Sequence, residues 1–285
     1  PMVEIFSYRV SSDGESVPSD LIIKAINQAV EDRVDIINIS LGVNMTHNKI
    51  DNAVNNAIKQ GIVVVAAAGN DSRYDYCSYP ANYNGVIAVG ATDFNDQHAN
   101  FSNFGSCVDI VAPGYLILST YPAQGCPEYG VFGSVTYDAD CSTFFSGTSQ
   151  AAPHVAGAAA MVKSAYPSLS RLEIEASIKG SADHSGALLG LPLDMPYSLN
   201  GRLNLDIAMD AAAALVNQPQ PSEPYLLVSN IVVSSNNLRQ GNKMGSVDIT
   251  ILDDQNIPIG NVQVLGGFSG KTNEDLNGST GPSGI

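Results

Sequence analysis

The chain has 285 residues, enough for one large α/β core and a small second domain. Charged residues make up only 14%, and the formal net charge of -15 reflects few Lys and Arg rather than an excess of acid. This composition argues against a nucleic-acid partner and favours a secreted protein. No apolar run is long enough to span a bilayer, and no leader resembles a signal peptide. Because the sequence opens at Pro1, we expect it to begin inside a longer product.

The first half of the sequence alternates short apolar runs with amphipathic segments. We predict strands at residues 3–10, 35–42, 62–67, 85–91 and 108–114, and helices at residues 19–30 and 48–60. Ser19 is expected to cap the first helix, and Gly61 to end the second. The apolar runs show no polar alternation, as expected of parallel strands covered on both faces. This pattern predicts a three-layer α/β domain with a mostly parallel, doubly wound sheet and ligands beyond the carboxyl ends of its strands.

The second half begins with a long helix of small residues, followed by predicted helices near residues 171–179 and 205–216. The Pro-rich stretch NQPQPSEP at residues 217–224 is typical of a stiff linker. Beyond it, residues 225–285 contain Val- and Ile-rich runs separated by turn-like stretches, as in a β-sandwich. So few strands cannot close a sandwich. We therefore expect a truncated all-β module of the immunoglobulin-like or fibronectin-like kind.

The segment Ser146 to Gly157, SGTSQAAPHVAG, resembles the nucleophile motif of the subtilisin-like serine proteases (subtilases), usually written GTSMAAPHVAG, with Gln150 as the departure. The resemblance makes Ser149 the nucleophile. Ser149 would lie at the start of the small-residue helix, where unpaired N–H groups favour a developing negative charge. The alternative is an ordinary buried Ala-rich helix with a capping serine.

Two further segments resemble the same family and occur in the family's order. AAAGN at residues 66–70 resembles the oxyanion-hole segment and makes Asn70 the donor, although alone it could be a turn asparagine. SLG resembles the substrate-binding segment, whose backbone would pair with an extended peptide as an added strand. Its residues are Ser40, Leu41 and Gly42. The floor of the primary specificity pocket would consist of Ala67, Ala68 and Gly69. Because these residues are small, they would leave room for a large substrate side chain.

The segment SNFGSCVDIVAPG at residues 102–114 also resembles the family, so the resemblance covers about residues 3–216 and is closest to the aqualysin and proteinase K branch. It implies a partial peptidase domain at residues 1–216. The module at residues 225–285 is similar to accessory domains appended to secreted bacterial proteases. The implied function is a secreted, monomeric serine endopeptidase that hydrolyses protein or peptide substrates through an acyl-enzyme on Ser149, with no cofactor for catalysis.

Triad chemistry also needs a histidine base and an aspartate that orients it. The sequence has four histidines, His47, His98, His154 and His184. None lies in the family's HGTxVA context, and no Asp lies in its D-S/T-G context. His154 matches a structural histidine of the nucleophile motif, and the other three lie in polar stretches and are expected to be solvated.

We therefore expect the catalytic aspartate and histidine upstream of this chain, and the chain by itself to be inactive. The competing hypothesis is a catalytically dead subtilase-like binding or adhesion protein. The retained nucleophile and oxyanion residue argue against it. A DSG-like and an HGT-like motif in the preceding reading frame would decide for the enzyme.

The four cysteines are Cys77, Cys107, Cys126 and Cys141. Without CxxC or finger-like spacing they fit disulfides better than zinc, and three pairings are possible from the residues alone. The resemblance implies that Cys77 pairs with Cys107. Cys126 and Cys141 lie in an apparent insertion at residues 125–141, and pairing them would close a surface loop. Free buried cysteines are the alternative.

The resemblance further implies a structural calcium ion or a monovalent cation at Asp109. Its other ligands would be the backbone carbonyls of Ala81, Tyr83 and Val86, an oxygen set that hard cations favour. The alternative is a surface aspartate at the start of a strand.

Overall fold

The computed structural model describes residues 3–11, 17–120, 142–183, 198, 200–217, 227–237, 243–252, 263–267 and 275–279. The chain divides into two compact units, Pro1–Gln218 and Pro219–Ile285. No helix within these described ranges has both the length and the apolar character that a membrane crossing needs.

The first unit is built around a parallel sheet. Its elements in chain order are α1 (Ser19–Glu31), β1 (Ile36–Ile39), α2 (Asn48–Lys59), β2 (Val63–Ala67), β3 (Val86–Thr92), β4 (Ile110–Pro113), β5 (Ile117–Thr120), β6 (Ser142–Phe145), α3 (Thr148–Ala165), α4 (Arg171–Gly180) and α5 (Leu205–Asn217). Strands β1 to β4 pair in parallel in that spatial order. Strands β5 and β6 form a separate antiparallel pair. The predicted α/β fold with a parallel sheet is confirmed.

Strand β2 is buried along its whole length because helices cover both faces of the sheet. Val63, Val65 and Ala67 belong to the core shared with α3, α4 and α5. Val64 and Ala66 belong to the opposite core, shared with α1 and α2. Successive strand residues point to opposite faces, so a strand between two helical layers carries a continuous apolar run. The first unit therefore has the predicted three layers.

The first two helices begin and end close to the predicted residues, but their capping residues differ from the prediction. Pro18, not Ser19, is the N-cap of α1, and no side chain caps that helix. At α2 the N-cap is His47, whose ring Nδ1 accepts a hydrogen bond from the Ile50 amide at 3.4 Å. His47 is partly exposed, and the prediction of a solvated surface residue did not include this capping role. Gly61, with φ of 80°, follows the end of α2 as expected.

The predicted strand at residues 3–10 is not formed. Residues 3–11 have no strand structure, and the side chain of Ile5 is 87% exposed. The residue types suit a strand, but a strand also needs a hydrogen-bonded neighbour. In the described part of the chain, no β-bridge joins this segment to a strand.

A disulfide joins Cys77 to Cys107, with their Cα atoms 5.9 Å apart. It links the loop after β2 to the segment just before β4. This is the pair that the family resemblance implies. Cys126 and Cys141 lie outside the described residues, so their pairing stays a prediction.

The second unit contains β7 (Leu227–Asn237), β8 (Lys243–Leu252), β9 (Gln263–Gly267) and β10 (Asp275–Ser279). Strands β7 and β8 pair antiparallel, as do β9 and β10. The Val- and Ile-rich runs are thus strands, as predicted. The immunoglobulin-like or fibronectin-like assignment stays a prediction, and the predicted linker lies outside the described residues apart from Asn217, which ends α5.

Candidate active site

A cleft of about 230 Å³, open to solvent, lies where β1 and β2 end and α3 begins. Its walls are Leu41, Gly42, Asn44, Ala67, Gly69, Asn70, Asp71, Ser78, Thr148 and Ser149. The predicted nucleophile, the predicted oxyanion donor and four of the six predicted substrate-binding residues therefore line one space. It lies at the carboxyl edge of the parallel sheet, where ligand sites of such sheets occur.

Asn70 is held against the start of α3 by the residue before the nucleophile. Its side-chain Oδ1 accepts hydrogen bonds from the backbone N–H and the Oγ1 hydroxyl of Thr148, at 2.8 and 3.0 Å. The same hydroxyl accepts the amide of Gly69 at 3.1 Å. With Oδ1 occupied twice, the Nδ2 group is the donor that Asn70 has left. It makes no hydrogen bond with any other described residue.

Ser149 is the second residue of α3, and the turn before it is anchored to the end of β4. The amide of Gly147 donates to the carbonyl of Gly114 at 2.8 Å, and the amide of Gly114 donates to Thr92 at 3.0 Å. A Cβ at Gly114 would lie 2.6 Å from the Cβ of Ala91. Only a glycine therefore allows this approach, which fixes where α3 and its nucleophile begin.

Ser40 also contacts the nucleophile, in a way that sequence reasoning missed. Its Oγ donates to the backbone carbonyl of Ser149 at 2.8 Å, while the side-chain amide of Asn38 donates to Ser40 Oγ at 3.0 Å. The prediction for Ser40 concerned its backbone. The structure adds a hydroxyl that ties the end of β1 to the first turn of α3.

Ala68 does not floor the cleft, contrary to the prediction. It is fully buried and belongs to the core under α1 and α2, because strand alternation turns it away from Ala67. Its carbonyl accepts the Ser78 amide at 2.8 Å and the side-chain amide of Asn103 at 3.0 Å. Ala67 and Gly69 line the cleft, and Ala68 supports it from behind.

Asn103 is the main residue that the sequence did not single out. It is fully buried. Its side-chain Oδ1 accepts hydrogen bonds from the backbone amides of Asp71 and Arg73 at 3.0 and 3.1 Å. Its own backbone N–H donates to the carbonyl of Gly69 at 2.9 Å. One asparagine thus holds the loop on both sides of Asn70. Its only signal in the sequence was a polar residue inside the family-like segment at residues 102–114.

The described histidines have partners other than the nucleophile. His154 donates from Nδ1 to the Gln150 carbonyl at 2.8 Å, on the exposed side of α3. His98 contacts the Ser102 carbonyl through Nε2 at 3.0 Å and packs edge-on against Phe104. Burial lowers the pKa of His98, and the Ser102 carbonyl opposes this shift. The prediction that His98 is a solvated surface residue is therefore wrong.

Ser149 Oγ has no hydrogen-bond partner among the described residues, although its backbone carbonyl is bonded to Ser40. His47 caps α2, as described above, and His184 lies outside the described residues. The structure therefore brings Ser149 and Asn70, the predicted nucleophile and the predicted oxyanion donor, to one cleft, and no described histidine is bonded to Ser149 Oγ.

The residues predicted to bind a cation do not fit one well. Oδ2 of Asp109 accepts the Ala88 amide at 2.8 Å, and Oδ1 lies 3.5 Å from the ammonium of Lys179. The Tyr83 carbonyl accepts the Val86 amide at 3.2 Å, closing a turn. Nor do three or more His, Cys, Asp or Glu side chains converge anywhere in the described part of the chain.

The sequence model of the subtilase family matches residues 1–220. The chain belongs to the subtilase family. Subtilisin DY of Bacillus licheniformis is 36% identical over 211 residues, which is 73% of this chain and 69% of that protein. Subtilisin BL of Lederbergia lenta is 39% identical over 188 residues, 66% of this chain and 63% of that protein.

Solved protease structures agree with the fold. The prenylagaramide maturation protease PagA matches with a TM-score of 0.59 and 26% identity, over 71% of each chain. A protease from Pseudoalteromonas arctica PAMC 21717 matches with a TM-score of 0.52 and 33% identity, over 71% of this chain and 55% of that one. The family resemblance is thus confirmed, while the aqualysin and proteinase K branch stays a prediction.

Proposed function

We propose that this chain carries the nucleophile and the oxyanion hole of a serine endopeptidase. Ser149 Oγ attacks a peptide carbonyl, and Nδ2 of Asn70 donates to the carbonyl oxygen as it becomes negative. The peptide C–N bond then breaks, the amine leaves with the proton that the serine gave up, and water later hydrolyses the acyl-enzyme and restores the serine. The observation that carries the proposal is the pair of hydrogen bonds from Thr148 to Asn70 Oδ1. These bonds leave Nδ2 as the remaining donor of Asn70, a residue that lines the same cleft as Ser149.

The proposed substrates are unfolded proteins and peptides in extended conformation. Leu41 and Gly42 lie just beyond β1 and line the cleft, which supports the proposal that their backbone pairs with an extended chain. Ala67 and Gly69 leave room for a large substrate side chain. The relatives that match this chain include proteins named subtilisin and alkaline protease.

The base that accepts the Ser149 proton is proposed to come from polypeptide outside the described residues. Ser149, Pro153 and Gly157 follow one another at helical spacing on α3, so they share a face. Pro153 and Gly157 are exposed, and a Cβ built at Gly157 lies within 4 Å of none of the described residues outside its own helix turn. This face has room beside the nucleophile, and residues 1–285 alone are proposed to be inactive.

The setting is proposed to be extracellular and the chain monomeric. The Cys77–Cys107 disulfide supports export, because disulfides persist in oxidising compartments. The antiparallel strand pairs of the second unit support the role of an accessory β-sandwich module of the immunoglobulin-like or fibronectin-like kind.

Hydrolysis of unfolded casein tests this proposal. The gene is expressed with its own flanking coding sequence, and the secreted protein is compared with three variants. Ser149→Ala is expected to abolish hydrolysis, and Asn70→Leu to lower kcat about a hundredfold to a thousandfold, a magnitude taken from the oxyanion asparagine of subtilisin, a relative of this chain. Ser164→Ala, at the far end of the same helix, is the matched control and should hydrolyse normally.

Two results would overturn the proposal. Hydrolysis that persists in Ser149→Ala would place the nucleophile elsewhere. No hydrolysis by any preparation would favour the binding or adhesion protein. Separately, hydrolysis by residues 1–285 alone, lost in Ser149→Ala, would show that no outside base is needed.

A further inference from the structure

A cluster of four charged side chains lies at the amino edge of the sheet, opposite the active-site cleft. Arg171, Glu175 and Lys179 repeat every fourth residue along α4, so they share one face of that helix. Asp109, just before β4, faces them. The Lys179 ammonium lies 3.5 Å from Oδ1 of Asp109 and 4.0 Å from Oε2 of Glu175, and Arg171 is bonded to the other oxygen of Glu175.

These charges are largely removed from water. The side chains of Glu175 and Arg171 are 8% and 12% exposed, and those of Asp109 and Lys179 are 20% and 30% exposed. Burial raises the pKa of Glu175, while Arg171 and Lys179 oppose this shift. Two carboxylates face two cations, so the cluster is neutral when every member is ionised.

Asp109 has little left to offer a metal ion. Its Oδ2 accepts the Ala88 amide and its Oδ1 faces an ammonium. Calcium prefers six to eight oxygen ligands at about 2.3 to 2.6 Å, including carboxylates that supply negative charge. Here the predicted ligand set contains one carboxylate, and the ammonium of Lys179 already balances its charge. A divalent ion bound to Oδ1 would lie close to this ammonium, which has the same sign of charge.

We propose that the ammonium of Lys179 replaces a metal ion at Asp109 and makes this part of the fold independent of bound cations. A lysine ammonium is a compact charge with three donors, so it can serve two carboxylates at once. It thereby ties α4 to the start of β4, the connection that a cation at Asp109 would otherwise strengthen. The inference does not depend on the proposed protease activity.

Thermal unfolding of residues 1–285 tests the inference, with the unfolding temperature Tm measured in chelator, in millimolar calcium and in potassium. The wild type and Lys179→Arg, which keeps the charge, are expected to show the same Tm in all three. Lys179→Met keeps the apolar stem and removes the charge. Its Tm in chelator should fall by on the order of 5 °C, and a saturable part of this loss should return with added cation.

Asp109→Asn separates the outcomes. In the double variant Lys179→Met, Asp109→Asn, the recovery with cation should disappear. A wild-type Tm that rises with calcium, and no longer rises in Asp109→Asn, would overturn the inference without need of the lysine variants. If neither calcium nor potassium restored any of the Tm lost in Lys179→Met, the inference would also be overturned. Lys179 would then be only an ion-pair partner.

Discussion

Replacing Thr148 by Val removes one hydroxyl that both sides of the active site use. The hydroxyl donates to Oδ1 of Asn70 at 3.0 Å and accepts the amide of Gly69 at 3.1 Å. Thr148 is fully buried, so water cannot replace it. Each of the two lost hydrogen bonds is worth about 1 kcal/mol, and leaving one amide without a partner costs about 1 kcal/mol or more. We therefore expect the free energy of unfolding to fall by about 2 to 4 kcal/mol.

Urea unfolding followed by circular dichroism measures this loss, with Thr148→Ser as the control. Ser keeps the hydroxyl and loses one methyl group, at about 1 kcal/mol. In a proteolytically active preparation, Thr148→Val should also lower kcat more than it changes KM, because the proposed role of Asn70 is to stabilise the transition state. If Val cost no more stability than Ser, the hydroxyl would not hold Asn70 and the reasoning would be refuted.

Three further perturbations test the supports of the site. Removing the disulfide with Cys77→Ala and Cys107→Ala opens a loop with a sequence separation of 30, and should lower the free energy of unfolding by about 3 to 4 kcal/mol in urea unfolding. Gly114→Ala brings a Cβ within 2.7 Å of the Gly147 carbonyl, so calorimetry should show a loss of about 1 to 3 kcal/mol. Because the pKa of His98 is below its ordinary value of 6.5, its contribution to stability is full above about pH 6.5 and is lost as pH falls through the lower folded-state pKa. His98→Gln should make the free energy of unfolding depend less steeply on pH in this range. An unchanged pH dependence would show that His98 does not cause it.

The sheet and its covering helices could be predicted because their signals are local. β2 and β3 are continuous apolar runs, and α2 places Ile50, Val54 and Ala57 on one face. Such patterns reflect burial directly. The nucleophile and oxyanion residues could be proposed from short motifs for a similar reason, because the family's chemistry concentrates its requirements in a few adjacent positions.

The rest depends on contacts between distant segments. The apolar run at residues 3–10 has strand-forming residues, but whether it pairs is decided elsewhere. Asn103 and Ser40 act on loops far away in sequence, so neither position could be assigned a side-chain role. Lys179 meets Asp109 only because α4 packs beside the start of β4, and no spacing in the sequence indicates that pair.

Covalent labelling of the secreted protein tests the central claim most directly. A fluorophosphonate probe reacts with an activated serine, and mass spectrometry of the digested protein then locates the adduct. We expect one modified peptide that contains Ser149, with labelling lost in Ser149→Ala and slowed in Asn70→Leu. An adduct on a different serine, or hydrolytic activity in a preparation whose Ser149 stays unmodified, would contradict it.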